Sequence, residues 1–255
     1  YMHLGRGVSK AKKIYGNQEK CSFEEWSKYI RSRLFSEPGL QVIDEKKLRD
    51  EDFSDFSITE FYISNFLEEN LNLLSDRSSI LYFGEKRKTL NRYNFNCSKY
   101  SEGSAYGSLS FDCVIFSEAI KYLDRMEYLL KQFYKLLKSG GILLVTVPFI
   151  IGDDIQDLDE LECSYDWISK KLWEIGFREV SVKKMGTDHS LSLYLEYKNL
   201  EMKLKGTDGK KAAVTKNKFI KKKLKNVLML ENRSHSDRGS NSGIITTGYG
   251  IAAIK

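Results

Sequence analysis

Residues 111–149, FDCVIFSEAIKYLDRMEYLLKQFYKLLKSGGILLVTVPF, decide the fold. Cys113 to Phe116 is an apolar run of strand length, and Tyr122, Met126, Leu129, Phe133 and Leu137 then recur along one helical stripe. Ser139-Gly140-Gly141 supplies the left-handed stop that a helix end prefers. Ile142 to Val147 is continuously apolar, as expected of a parallel strand covered on both faces. Strand, helix and strand in this rhythm predict a βαβ unit and a parallel sheet.

Upstream, Ser57 and Glu60 have capping-box spacing, and Ile63, Leu67, Leu71 and Leu74 follow at helical intervals. That helix is expected to end near Ser75-Asp76. Ile80 to Phe83 reads as a short buried strand that enters a turn at Gly84, and the polar stretch from Lys88 to Ser110 reads as loop because it holds neither period. Before these lie a basic arm to about Glu19 and a helix opened by Ser22 and Glu25, carrying Trp26, Ile30 and Leu34 and ending before Pro38-Gly39.

Downstream of the acidic stretch Asp153 to Glu162, a helix is expected from about Asp166 to Ile175 with Trp167, Leu172 and Trp173, then a strand at Val180 to Val182. Two helices, about Ser190 to Lys205 and Ala212 to Leu230, precede a polar linker at 234–243, and Ile244 to Ile254 reads as a closing strand. The organisation is thus an arm and helical extension at 1–56, a core at 57–185, a helical insertion with linker at 186–243, and a strand of the core at 244–255.

With 255 residues, 41% of them hydrophobic, the chain can bury a sizeable core, and one elaborated domain is expected. No apolar run reaches the roughly 18 residues of a membrane span, and no apolar signal core follows the basic start, so a cytoplasmic protein is expected. Cys21, Cys97, Cys113 and Cys163 are widely spaced and accompanied by only 3 histidines, which suggests neither a disulfide framework nor a metal site. The net charge of +6 owes much to the lysines between Lys203 and Lys225.

The 111–149 pattern resembles class I S-adenosylmethionine (SAM)-dependent methyltransferases of the type 11-like bacterial kind. There a strand, Phe111-Asp112 onward, leads through Ser117-Glu118 to a helix, Leu137-Lys138-Ser139-Gly140-Gly141, and a strand ending in Pro148-Phe149. Trp173-Glu174-Ile175-Gly176-Phe177 resembles the family's helix end before its sixth strand, and Gly248-Tyr249 to Lys255 its antiparallel last strand. The insertion between those strands and the terminal lysine resemble methyltransferases of bacterial surface-polysaccharide gene clusters. The chain departs from the family in its first glycine motif, where only Gly84 remains, in Tyr82 at the usual acidic position, and in the shortness of 88–110. The resemblance implies an α/β three-layer Rossmann-like sandwich, truncated at strands two and three, with an antiparallel last strand.

It also implies SAM as cofactor, held by Gly84 and Glu85 after the first strand and by Ser117 and Glu118 after the fourth, with Tyr122 and His189 toward the acceptor. Each residue also has a plainer reading. Glu118 suits a helix N-terminus, Gly84 a tight turn, Lys86 to Lys88 a solvated loop, and His189 a surface pair with Asp188. The function expected is methylation of a hydroxyl on a surface sugar or related small-molecule metabolite; the alternative is a non-catalytic module of this fold that binds a partner protein or acidic ligand. A cavity open toward Glu118 favours the first, and Tyr82, Glu85 or Arg87 filling it favours the second. Within 216–230, Ile220, Leu224, Val227 and Leu228 share one face while lysines crowd the others. That helix can dock on its own domain with snorkelling lysines or make peripheral contact with a membrane, nucleic acid being the least favoured partner.

Overall fold

A computed structural model gives the structure of the protein and describes residues 39–41, 43, 57–84, 88–101, 103–104, 106–117, 119–148, 165–236 and 246–255. The expected arm, the Ser22 helix, the acidic stretch and positions 237–243 of the linker lie outside them.

Among the described residues seven strands form one sheet: β1 (Gly39–Leu40), β2 (Ser79–Phe83), β3 (Asn96–Lys99), β4 (Phe111–Phe116), β5 (Leu137–Pro148), β6 (Glu179–Met185) and β7 (Gly248–Ile254). Their order is β1-β6-β7-β5-β4-β2-β3. All neighbours run parallel except β7, which is antiparallel to both β5 and β6, as expected.

Helices cover both faces. The side chains of β2 and β4 alternate between them: Ile80, Cys113 and Ile115 share one hydrophobic cluster, while Leu81, Phe83, Val114 and Phe116 share the other. The first cluster is completed by α1 (Ile58–Leu71), by α4 (Asp188–Lys203) and by α5 (Gly209–Ser236), through residues such as Phe66, Tyr197 and Leu224. The second is completed by α2 (Met126–Leu136) and α3 (Tyr165–Ile175), through Phe133, Ile168 and Leu172. Burying one such side chain is worth roughly 1.5–3 kcal/mol, against at most about 1 kcal/mol for an exposed ion pair, so these two clusters hold the sheet in place.

Local chemistry explains most boundaries. Ser57 caps α1 by accepting from the Glu60 N–H at 3.3 Å. The helix stops at Leu71, earlier than its apolar stripe suggests, and Leu74 packs on the core from the turn beyond it. The stripe from Tyr122 does not form one helix: Ala119–Arg125 is 3₁₀, kinked at Tyr122, and α2 proper begins at Met126. Ser139-Gly140-Gly141 is not the helix stop either, because Leu137 already pairs with Phe111 and the glycines lie within an irregular start of β5. Gly140 does take the left-handed backbone, φ 75°.

The expectation that 88–110 is all loop is corrected. The segment forms a 3₁₀ turn, Lys88–Arg92, and the strand β3, which pairs in parallel with β2. The expected truncation therefore removes less of the sheet than the sequence suggested. Asn96-Cys97-Ser98-Lys99 escapes a reading based on apolar period because an edge strand needs no buried face.

Two contacts fix the geometry beneath the site. Asp112 accepts from the Ser79 N–H and hydroxyl at 2.8 Å each and from Lys138 Nζ at 2.8 Å, which ties the starts of β2, β4 and β5 together. Lys255 Nζ donates to the Tyr134 and Leu137 carbonyls at 2.5 and 2.8 Å, so the last lysine closes the end of α2. Partial burial pushes the Asp112 carboxyl up, but the hydrogen bonds from Lys138 and Ser79 outweigh it and hold it below the usual value.

Two outcomes are expected. A Cβ on Gly250 would stand 2.5 Å from the Phe66 ring, so Gly250→Val should lower urea stability by about 2 kcal/mol and Phe66→Leu should recover part of that loss. The Asp112 contribution is whole above the unfolded carboxyl value near 3.8 and is lost as pH falls through the depressed folded value. Thermal melts of wild type and Asp112→Asn should therefore differ at neutral pH and converge in strong acid.

Candidate functional site

The chain leaves β2 toward β3 on one side and returns to β4 on the other. Such a change of direction parts the connections above the strand ends, and in open α/β sheets ligands bind in that crevice. Phe83 is in register with Phe116, so the next residues, Gly84 and Ser117, stand side by side at the carboxyl ends of β2 and β4.

Both positions are suited to a ligand. Gly84 has φ 95°, and among the described residues a Cβ built there would meet only the Ser117 carbonyl, at 3.9 Å. Gly84 thus offers bare backbone, in a conformation that L side chains rarely adopt. Ser117 is buried, and its Oγ has no hydrogen-bond partner among the described residues. A buried hydroxyl left unpaired costs about 1–3 kcal/mol, so a partner supplied from outside would relieve a standing penalty.

Beneath these two residues lies an aromatic floor that the sequence did not disclose. The Phe83 ring meets Tyr122 edge-on at 4.6 Å and Phe116 at 5.2 Å, with Tyr100 at 5.3 Å and Phe133 at 5.9 Å. The legible signal was an aromatic residue at the end of each of the two central strands. Tyr122 is half-buried against this floor, with the Arg125 guanidinium carbon 5.4 Å from its ring centre. The structure thus brings Gly84, Ser117 and Tyr122 together. Glu85, Lys86, Arg87 and Glu118 lie outside the described residues.

His189 belongs to another neighbourhood. β5 and β7 separate β4 from β6, which at the usual strand spacing places the two strands about 14 Å apart. His189 lies at the first turn of α4, where its N–H donates to the N-cap Thr187 hydroxyl at 3.1 Å. Around this cap is a buried polar group that sequence reasoning missed. Glu231 accepts from the hydroxyls of Tyr62 at 2.7 Å, Thr187 at 2.9 Å and Ser190, linking α1, α4 and α5. Its signal was faint: one acid near the end of a long lysine-rich helix. Burial raises the Glu231 carboxyl above the ordinary value although the Ser190, Tyr62 and Thr187 hydroxyls pull it back in part. Burial, and then the Glu231 charge, raise the Tyr62 phenol.

The apolar stripe of 216–230 is also accounted for. Ile220, Leu224, Val227 and Leu228 are buried with α1 and α4 residues in the first cluster, so this stripe docks on its own domain, the first of the two readings offered for it. Among the described residues no helix is long and apolar enough to cross a membrane.

Comparison with known proteins places the family match on this crevice. Residues 80–145 match the family described as a methyltransferase domain, a span that runs from β2 through β4 and α2 into β5. No curated protein sequence matches the chain. Among solved structures, a SAM-dependent methyltransferase from Archaeoglobus fulgidus is 12% identical, with a TM-score of 0.46 over 83% of this chain and 97% of that one. Phosphoethanolamine N-methyltransferase 2 of Haemonchus contortus, solved with S-adenosyl-L-methionine, is 13% identical with a TM-score of 0.44, covering 84% of this chain. The chain spans 60% of that enzyme's length.

The Glu231 group generates a pH prediction. A carboxyl whose folded value is raised contributes stability that is whole below the unfolded value of about 4.5 and falls as pH rises through the folded one. Melting temperature followed against pH should show wild type losing ground to Glu231→Gln over that interval, whereas a constant gap would refute the assignment.

Proposed function

We propose that the chain binds SAM in the crevice above β2 and β4 and transfers its methyl group to a small-molecule acceptor. The observation that carries this reading is the pairing of a bare left-handed glycine, Gly84, with the buried unpartnered hydroxyl of Ser117 at the sheet's switch point. The family match over 80–145 covers both. These residues fit the group: an open backbone admits a close approach, and an orphan hydroxyl awaits a polar atom.

Bound SAM would supply an activated methyl on a sulfonium, and the chain's task is then chiefly alignment and exclusion of water. Gly84 lets main chain approach the ligand where any side chain would intervene. Ser117 Oγ offers one oriented hydrogen bond. Phe83, Phe116 and Tyr122 close the floor against water, and Tyr122 forms the boundary toward the acceptor. Glu85 and Glu118 are assigned to the same ligand from their places after the two strands, Glu118 toward its amino group.

For the acceptor we favour a hydroxyl of a surface-sugar precursor or related metabolite, met in the cytoplasm. Support comes from the resemblance of the 186–243 insertion to methyltransferases of that kind, and His189, at the start of that insertion, is the residue we assign to the acceptor's far end. We treat 57–185 with 244–255 as the core and 1–56 as an extension of it. The non-catalytic alternative called for Tyr82, Glu85 or Arg87 in the cavity. Tyr82 packs instead with the α1 cluster on the opposite face from Phe83, which removes one of its supports.

Calorimetric titration with SAM and S-adenosylhomocysteine tests the proposal. Micromolar binding is expected, weakened roughly 2- to 10-fold by Ser117→Ala, the range of one neutral hydrogen bond. The unliganded Ser117→Ala protein should melt no lower than wild type, because the change removes an unsatisfied hydroxyl. Absence of binding at millimolar ligand would overturn the reading.

A further inference from the structure

Helix α5 carries charge of one sign along most of its length. From Gly209 to Leu230 it holds eight lysines, Lys210, Lys211, Lys216, Lys218, Lys221, Lys222, Lys223 and Lys225, and no acidic residue. Lys216 pairs with Glu201 and Lys223 with Glu196 on α4, each at 2.8 Å, and Lys221 and Lys225 are engaged as well. Lys211, Lys218, Lys222 and Lys225 follow spacings of 7, 4 and 3, which return to one side of a helix, and all four are exposed. They form a row about 21 Å long at 1.5 Å per residue. Val214, 69% exposed, and Met229, 37% exposed, lie on the same side.

This row does not serve the helix itself. Lys218 with Lys222 and Lys221 with Lys225 are like charges one turn apart, and lysines in the first turn oppose the helix dipole. The docking of α5 is secured by Ile220, Leu224, Val227 and Leu228 on the other side. A long cationic face with apolar residues set among its lysines is complementary to a surface that is both negatively charged and apolar just beneath.

We propose that the Lys211–Lys225 face of α5 docks on an anionic phospholipid bilayer, lysines to the headgroups and Val214 and Met229 to the acyl boundary. The contact is peripheral and uses the side of the helix opposite the Ile220 stripe. Nucleic acid fits less well. Tyr194 and Phe219, the aromatic rings nearest in sequence along α4 and α5, are half-buried beneath Lys198 and Lys223 at 5.7 and 5.9 Å, so they offer no stacking platform. Lysines act as mobile point charges suited to a diffuse headgroup field, and each near an anionic leaflet adds roughly fivefold to binding.

The test is sedimentation of the full chain with vesicles of phosphatidylcholine alone and with roughly one-third phosphatidylglycerol. Sedimentation with the anionic vesicles only, reversed by high salt, is expected. The Lys211→Gln, Lys218→Gln, Lys222→Gln variant should bind at least about tenfold more weakly with an unchanged melting temperature. Val214→Asp gives a second reading on an exposed site and should also weaken binding. No sedimentation, variants that bind like wild type, or a single-stranded RNA oligonucleotide that binds more tightly and displaces the vesicles would each overturn the proposal. SAM takes no part in this measurement, so its outcome is independent of the cofactor assignment.

Discussion

Ile80 to Phe83 runs hydrogen-bonded alongside Cys113 to Phe116, both strands apolar on both faces, and the remaining architecture is arranged around this pair. Because neither strand has a side to turn to water, each requires a layer of helices above and below. Because they are parallel, the chain must cross back between them, and it does so by way of β3 on the far side of β2. The crevice at Gly84 and Ser117 is the consequence of that route. Asp112, bound to Ser79 and Lys138 at the opposite end of the same strands, sets their relative height.

The helical layers do different work. On one face α2 and α3 complete an aromatic and aliphatic cluster that reaches up to Phe83 and Tyr122 and so forms the floor of the crevice. On the other, α1 lies close on the sheet where Gly250 leaves room for Phe66, and α4 and α5 add to the same cluster. The Glu231 carboxylate joins those three helices through Tyr62, Ser190 and Thr187. Gly186 permits this corner, since a Cβ there would stand 2.5 Å from the Thr247 hydroxyl and 2.8 Å from that of Ser190. The chain thus places Gly84 and Ser117 at the carboxyl ends of β2 and β4, and a lysine-rich helix in the layer packed on the other face.

What was legible in the sequence follows from how strongly burial constrains each element. β4, β5 and the apolar stripe of α2 must satisfy a period or a continuous run, so Val114, Leu129 and Leu144 announce themselves. Ser57 and Glu60 marked the start of α1 because a cap is a local interaction between two named groups. β3 left no such mark, because an edge strand of Asn, Cys, Ser and Lys is held by main-chain bonds to β2 that carry no side-chain signature. At the candidate site, Gly84 and Ser117 were legible from their places after strands, while the aromatic floor and Glu231 were not. Their partners, Phe83 with Tyr122 and Glu231 with Tyr62, are distant in sequence, and only the fold brings them together. His189 was legible as a residue type, yet its position beyond β5 and β7 depended on a strand order that no local pattern encodes.

Hydrogen–deuterium exchange of the full chain with and without S-adenosylhomocysteine locates the ligand directly. New protection is expected only at the ends of β2 and β4, at Phe83-Gly84 and Phe116-Ser117, with the amides around Thr187 and Glu231 unchanged. Saturating ligand that leaves those two strand ends unprotected, or that protects the Thr187 corner instead, would contradict binding in the crevice.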